Sequence, residues 1–183
     1  QSNTFYYLSG LETANAYMLL DGRSKRTTLY LPHRDEERER GEGKKFSYED
    51  AERIKKLTGI ENIRPLEKMA IDFARPVMRA PVPMLYIPHS PAEQFLQSRD
   101  EMLYGQGRNV SNPWGGPPST AGYLINQIKL RYPQFEIRDL TPILDPMRVI
   151  KDEKEIALIR TASELAGHGI MEAMRSTEPD VME

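Results

Sequence analysis

The final forty residues contain the feature that most constrains the fold. Asp152 and Glu155 have the spacing of a capping box, in which each side chain accepts a hydrogen bond from the other residue's backbone amide. Apolar residues then recur at helical spacing on one face: Ile156, Ile159, Ala162, Ala166, Ile170 and Ala173. A helix with such a face needs a second surface to cover it. We therefore predict a long helix that belongs to a structural unit other than the one before it.

Before residue 139 the sequence alternates short strand-like runs with signals for the start of a helix. The strand predictions are residues 5–9, 16–20, 27–31, 60–66, 84–87 and 135–137. Helices are predicted to start at Ser47, Ser90 and Ser119, and the first of them to end at Gly59. This alternation favours an α/β fold with a mixed sheet, in which 16–20 and 27–31 pair antiparallel. Residues 139–146 are predicted to form a linker.

Composition excludes several classes of protein. The 183 residues include no cysteine, so disulfide frameworks, thiolate zinc sites and cysteine nucleophiles are excluded. A net charge of -2 gives no electrostatic reason to bind nucleic acid or an anionic membrane. Residues 34–45 are almost all charged, with five charges of each sign. They are predicted to be a solvated loop or fraying helix, the alternative being a loop that reaches a neighbouring subunit or an active-site rim.

Two stretches resemble a known family. Residues 3–10 (NTFYYLSG), followed by the apolar run 16–20, resemble a segment in the N-terminal domain of aminopeptidase P and prolidase. Residues 147–156 (MRVIKDEKEI) resemble the segment that opens the pita-bread catalytic domain of the same enzymes. The resemblance implies a ribonuclease H-like mixed sheet flanked by helices at residues 1–145. It further implies a linker and the first helix of a pita-bread domain at 146–183. Both domains are expected to be incomplete, the first because the chain opens on Gln1 and enters an aromatic run at once.

The same resemblance implies a function. The full-length protein would be a cytoplasmic, homodimeric metallopeptidase that acts on peptides with proline in second position, as an Xaa-Pro aminopeptidase or a prolidase. It would use two divalent metal ions, with manganese the first choice, whose ligands lie beyond residue 183. The present chain would be a non-catalytic part that shapes the substrate cleft and the oligomer contacts, inactive alone and without nucleic-acid or membrane partners. Creatinase, which works without metal, and a catalytically dead relative acting as a protein-interaction or dimerisation module remain open.

Four residues are candidates for the substrate cleft or an interface: Tyr6, Tyr7, Trp114 and Arg148. Tyr6 and Tyr7 would point to opposite faces of a strand. Both are expected to be core or edge residues, the alternative being that one of them faces the cleft. Trp114 lies in a Gly/Pro-rich loop, either packed on its own domain or as an interface anchor. Arg148 lies in the predicted inter-domain segment, either as a surface charge or in a tethering ion pair. The three histidines, His33, His89 and His168, are scattered rather than paired. We therefore predict no metal ligand and no catalytic residue in this chain.

Overall fold

The computed structural model of the chain describes residues 3–77, 83–89 and 120–177. The chain divides into two compact units, Gln1–Thr141 and Pro142–Glu183. The helices are α1 (Asn3–Ser9), α2 (Glu36–Glu42), α3 (Ala51–Thr58), α4 (Met69–Val77), α5 (Thr120–Arg131), α6 (Thr141–Val149) and α7 (Glu153–Ser176). The strands are β1 (Tyr17–Asp21), β2 (Arg26–Leu31), β3 (Asn62–Pro65), β4 (Met84–Ile87) and β5 (Glu136–Asp139). Helices and strands alternate through the first unit, which confirms the α/β class.

The first three strands form a three-stranded sheet in the order β1-β2-β3. β1 and β2 pair antiparallel, as predicted, from Tyr17 opposite Tyr30 to Asp21 opposite Arg26. The Asp21 carboxylate accepts hydrogen bonds from the backbone amide of Arg23 and the hydroxyl of Ser24, which closes the turn between the strands. β2 and β3 pair parallel, so the sheet is mixed.

The connection between the parallel strands follows its sequence signals closely. Ser47 and Asp50 form a capping box around a 3₁₀ turn, Tyr48–Asp50, which leads directly into α3. α3 ends at Gly59, whose φ of 72° lies in the left-handed region that a side chain disfavours. Both ends of this predicted helix are therefore confirmed.

The main core lies between the β1-β2-β3 sheet and α3. Leu11, Leu29, Leu31 and Ile54 are fully buried there. Partly buried side chains surround them: Phe5, Ala16, Met18, Phe46, Tyr48, Ile60 and Ile63. Apolar contacts to the first helix, all three strands and α3 therefore converge on one cluster, and we expect these elements to unfold together.

The N-terminal aromatic run corrects one prediction, because residues 5–9 form part of helix α1 and not a strand. The amide of Gly10 donates to the carbonyl of Tyr6 at 2.7 Å, and Gly10 has the positive φ of a helix-ending glycine. Phe5 packs on the core cluster from this helix. The β-propensity of the run is thus overridden by a helical turn that places its first aromatic ring in the core.

Residues 139–146 correct a second prediction, because most of this predicted linker belongs to α6. The Asp139 carboxylate accepts a hydrogen bond from the amide of Thr141 at 2.9 Å, beside the start of the helix. Pro142 follows within the first turn, where a missing N–H costs nothing. The two prolines suggested a linker, but the first occupies a position that a helix accepts and α6 continues through Pro146.

The remaining predictions have mixed outcomes. The strands predicted at 84–87 and 135–137 are β4 and β5, which pair parallel as a second small sheet. Within the charged segment 34–45, α2 confirms the prediction of a solvated helix. Asp35 caps this helix, and the segment is largely exposed to solvent. The helix starts predicted at Ser90 and Ser119, and the loop containing Trp114, lie outside the described residues.

Candidate functional site

A cluster of charged side chains joins the end of β2 to two neighbouring turns. His33 Nδ1 lies 2.6 Å from Glu49 Oε1, and His33 Nε2 lies 3.5 Å from Glu67 Oε1. Arg34 donates from its backbone amide to Glu49 and from its guanidinium to both oxygens of Asp50. These five residues are called the His33 cluster. The tight turn at Ser47–Asp50 fixes two of its carboxylates, and the 3₁₀ turn after β3 supplies the third.

The geometry of the His33 cluster fits a structural role, in which it holds chain segments together, better than it fits a metal site. The two carboxylates contact opposite nitrogens of one imidazole ring, so they do not converge on a common point. Within the described ranges, no group of three histidine, aspartate or glutamate side chains is placed to hold a metal ion. The ring of His33 also meets that of Tyr48 edge to face, with centroids 5.5 Å apart. The cluster therefore links three chain segments through charge-assisted hydrogen bonds.

The His33 cluster makes stability depend on pH. The Glu49 carboxylate, followed by that of Glu67, raises the pKa of His33, and the His33 contact lowers the pKa of Glu49 to about 2. A raised histidine pKa stabilises the fold below the unfolded value of about 6.5, and this contribution is lost as pH rises through the folded pKa. The Glu49 contribution is present above its ordinary pKa and is lost as pH falls toward about 2. The ion pair therefore contributes most between about pH 4.5 and 6.5.

We expect the free energy of unfolding of the wild-type chain to fall more between pH 6 and 8.5 than that of His33→Gln. Urea unfolding at several pH values measures the difference, which is expected to be small because the His33 side chain is 56% exposed. His168→Gln, which changes an exposed histidine of α7, is the matched control. If the free energy of unfolding depends on pH identically in His33→Gln and in the wild-type chain, the structural role of the His33 cluster is contradicted.

A second polar network lies on the face of the sheet opposite the main core. Tyr30, which is almost fully buried, donates its hydroxyl hydrogen to Asp72 Oδ2 at 2.8 Å. The guanidinium of Arg64 binds both oxygens of the same carboxylate. Tyr30 and Arg64 are neighbours across the parallel β2-β3 pair, and Asp72 comes from α4. The network satisfies a buried hydroxyl and fixes α4 on this face of the sheet.

A cleft of about 300 Å³ lies where α4 and α5 approach each other beside β1. Most of its lining is apolar or aromatic: Tyr17, Leu66, Phe73, Leu124, Ile128 and Tyr132. Two polar side chains of α5, Gln127 and Arg131, also line it. The Tyr132 hydroxyl donates to the carbonyl of Ala70, and the rings of Phe73 and Tyr132 stack with centroids 6.0 Å apart. These contacts hold α4 against the end of α5 and keep the cleft formed.

The candidate residues from the sequence do not assemble into one site in the described chain. Tyr6 lies on α1 with 53% of its surface exposed, and Tyr7 is half-buried on the same helix. Their predicted opposite placement across a strand is wrong, because neighbouring residues of a helix are about 100° apart. Arg148 lies in the last turn of α6, where its carbonyl accepts from Lys151, and Trp114 lies outside the described residues. A role for these four in a cleft or interface stays a prediction.

Sequence reasoning missed the α4–α5 cleft and the His33 cluster. The cleft collects residues from positions 17 to 132, and none of them carries a local motif. No local pattern identifies the partners of His33, because they are 16 and 34 residues away in the sequence. No helix in the described part of the chain is long and apolar enough to cross a membrane.

An α/β unit built on a small mixed sheet agrees with the fold class of the N-terminal domain that the sequence resembles. Residues 1–86 match the family described as aminopeptidase P, N-terminal domain. This match supports an N-terminal domain of the aminopeptidase P family in this segment of the chain.

Curated relatives extend the similarity beyond that segment. A probable Xaa-Pro aminopeptidase of Coccidioides posadasii is 28% identical over 174 residues, which are 95% of this chain and 28% of the relative. A probable Xaa-Pro aminopeptidase of Aspergillus clavatus is 26% identical over 171 residues, 91% of this chain and 27% of the relative. The chain thus spans somewhat more than a quarter of the length of the curated relatives that it matches.

Two solved structures share the fold. A putative aminopeptidase P from Bacillus anthracis superposes with a TM-score of 0.62 at 22% identity, over 86% of this chain and 33% of the other. Proline aminopeptidase P II from Yersinia pestis superposes with a TM-score of 0.58 at 20% identity, over 98% of this chain and 37% of the other. At this level of identity the two structures establish similarity of fold.

Proposed function

We propose that this chain is the non-catalytic N-terminal part of a metal-dependent Xaa-Pro aminopeptidase. The observation that carries the proposal is the match of residues 1–86 to the aminopeptidase P N-terminal domain family. Relatives named as probable Xaa-Pro aminopeptidases align with more than nine-tenths of the chain, including the segment after that domain. In the complete protein the first unit would form a wall of the substrate cleft and contribute contacts between subunits.

The second unit would begin the catalytic domain, with its pita-bread fold. Support comes from α7, whose capping box is fully formed: Asp152 Oδ1 accepts from the Glu155 amide and Glu155 Oε2 accepts from the Asp152 amide. The helix is then almost entirely exposed over 24 residues, as expected of an element that packs on further chain. A ribonuclease H-like topology for the first unit, with its mixed β1-β2-β3 sheet, belongs to the same proposal.

The chemistry would lie outside the described residues. Two divalent ions, of which manganese is the first choice, would activate water and polarise the scissile carbonyl of a peptide with proline in second position. The described residues do not fit such a centre, because none of their carboxylates and imidazoles form a three-ligand group. No step of the reaction is therefore assigned to a residue of this chain.

We expect the isolated 183-residue chain to release no N-terminal residue from an Xaa-Pro peptide, with or without manganese. A chimera tests the proposal directly: this chain replaces the aligned segment, 28% of the length, of the Coccidioides posadasii relative. The chimera is expected to hydrolyse the peptide, and the relative without the aligned segment to be inactive. Metal-dependent release by the chain alone would contradict the non-catalytic role, and an inactive but folded chimera would contradict the assignment to this enzyme class.

A further inference from the structure

The cleft between α4 and α5 combines an apolar interior with polar groups on one side only. Phe73 and Ile128 are buried in its wall, and Tyr17 contributes an aromatic ring from the edge strand β1. Gln127 and Arg131 are one turn apart on α5, so both reach the same side of the cleft. Its volume of about 300 Å³ is at the lower end of the range for ligand sites, which suits one amino-acid side chain.

The side chains of Gln127 and Arg131 both carry N–H donors that can bind an anion. In the described part of the chain, neither the half-buried Gln127 amide nor the Arg131 guanidinium makes a side-chain hydrogen bond or an ion pair. A guanidinium offers a planar pair of N–H donors that matches a carboxylate, and the neighbouring amide adds a further donor. A ligand whose apolar part fills the cleft would thus place its carboxylate against Arg131.

We propose that the α4–α5 cleft binds the carboxyl-terminal residue of a peptide when that residue is apolar. The side chain enters among Phe73, Leu124 and Ile128, and the terminal carboxylate binds Arg131 and Gln127. Charge complementarity selects this occupant, because an uncharged apolar group leaves both polar side chains without a partner and a cation is repelled by Arg131. The proposal rests only on described residues of the first unit, so it goes beyond the enzyme class proposed above and does not depend on it.

A small-molecule pair tests the carboxylate directly. N-acetyl-L-phenylalanine is titrated into the 183-residue chain, and amide chemical shifts of α4 and α5 are followed by NMR. With about 15 non-hydrogen atoms and the efficiency usual for exposed sites, its dissociation constant is expected to be about 1 mM. N-acetyl-L-phenylalaninamide, which keeps the ring but lacks the charge, is expected to bind about five- to tenfold more weakly.

Two matched variants assign the charge to one side chain. Arg131→Gln is expected to weaken binding of the acid about five- to tenfold and to leave binding of the amide unchanged. Lys129→Gln removes the other cation of the last turn of α5 but lies outside the cleft lining, and is expected to leave both affinities within about twofold. Both variants remove one charge from the same helix end, so a general effect on α5 would appear equally in both.

Three results would overturn the proposal. The first is the absence of saturable shifts at α4 and α5 with the acid, and the second is equal affinity for the acid and the amide. The third is that Arg131→Gln and Lys129→Gln weaken binding of the acid equally. That result would show that the net charge at the end of α5 strengthens binding, and not a contact with Arg131. Since all three are measured on the chain alone, they are distinguishable from failure of the chimera, which reports peptidase activity.

Discussion

Leu29→Ala is expected to destabilise the first unit by about 2–5 kcal/mol, the usual cost of emptying a buried leucine site. Leu29 is completely buried in β2, the central strand of its sheet. Met18 on β1 and Ile63 on β3 are its direct neighbours in register, and both pack on the same core cluster. A cavity there is enclosed on both sides by strands whose pairing resists collapse. Because small domains are stable by only about 5–15 kcal/mol, the variant is expected to lose a large part of that margin.

Hydrogen exchange of the β2 amides is the suitable measurement, because it reports on the first unit and does not assume that the two units unfold together. Leu20→Ala is the matched control, with the same chemical change in the same sheet at a residue that is 55% exposed. It is expected to cost less than about 1 kcal/mol, since little apolar surface returns to water. Equal losses of protection in the two variants would show that β2 is not at the centre of the core.

Elements with self-contained signals were predicted closely. The Ser47 and Asp152 capping boxes each lie within four residues, and both form with their predicted partners. The turn after β1 depends on Asp21 and the residues directly after it, and the antiparallel pairing follows from that turn. In each case, the side chain that decides the structure accepts hydrogen bonds from backbone amides only a few residues away in the sequence.

The two wrong elements depended on contacts that sequence spacing does not reveal. Aromatic residues at 5–7 favour a strand in general, but here Phe5 is needed in a core whose other members come from residues 11–63. Asp139 ends β5 and its carboxylate binds amides at both Thr141 and His89, the second of them 50 residues away. Prolines alone suggested a linker, whereas this carboxylate and the position of Pro142 allow a helix to start.

The candidate sites were the least predictable part of the chain. Asp72 carried no local signal, yet it receives Tyr30 from 42 residues away and Arg64 from 8. The α4–α5 cleft likewise exists only after α5 has packed on α4. Sequence resemblance supplied the family without supplying these contacts, since a family motif identifies a fold and the side chains of one chain decide what its surfaces bind.

The apolar face of α7 is wider than its predicted stripe. Leu158 and Leu165, which are 72% and 68% exposed, extend the face that contains Ile156, Ile159 and Ile170. At 100° per residue, the apolar positions cover about half of the helix circumference. Each large aliphatic side chain gains about 1.5–3 kcal/mol when it is fully buried. α7 is therefore expected to self-associate through this face as concentration rises, and to fray in the dilute monomer.

Sedimentation velocity and hydrogen exchange at low and high concentration measure the two states of α7. Ala166→Glu places a charge within the apolar face, and is expected to keep the chain monomeric with rapidly exchanging α7 amides, because burying an unpaired carboxylate is costly. Ala157→Glu makes the same change on the polar side of the helix, and is expected to leave association as in the wild-type chain. A wild-type monomer whose α7 amides are fully protected would contradict the placement of this helix in a separate unit, because an exposed apolar helix without a covering surface has no tertiary packing to protect it.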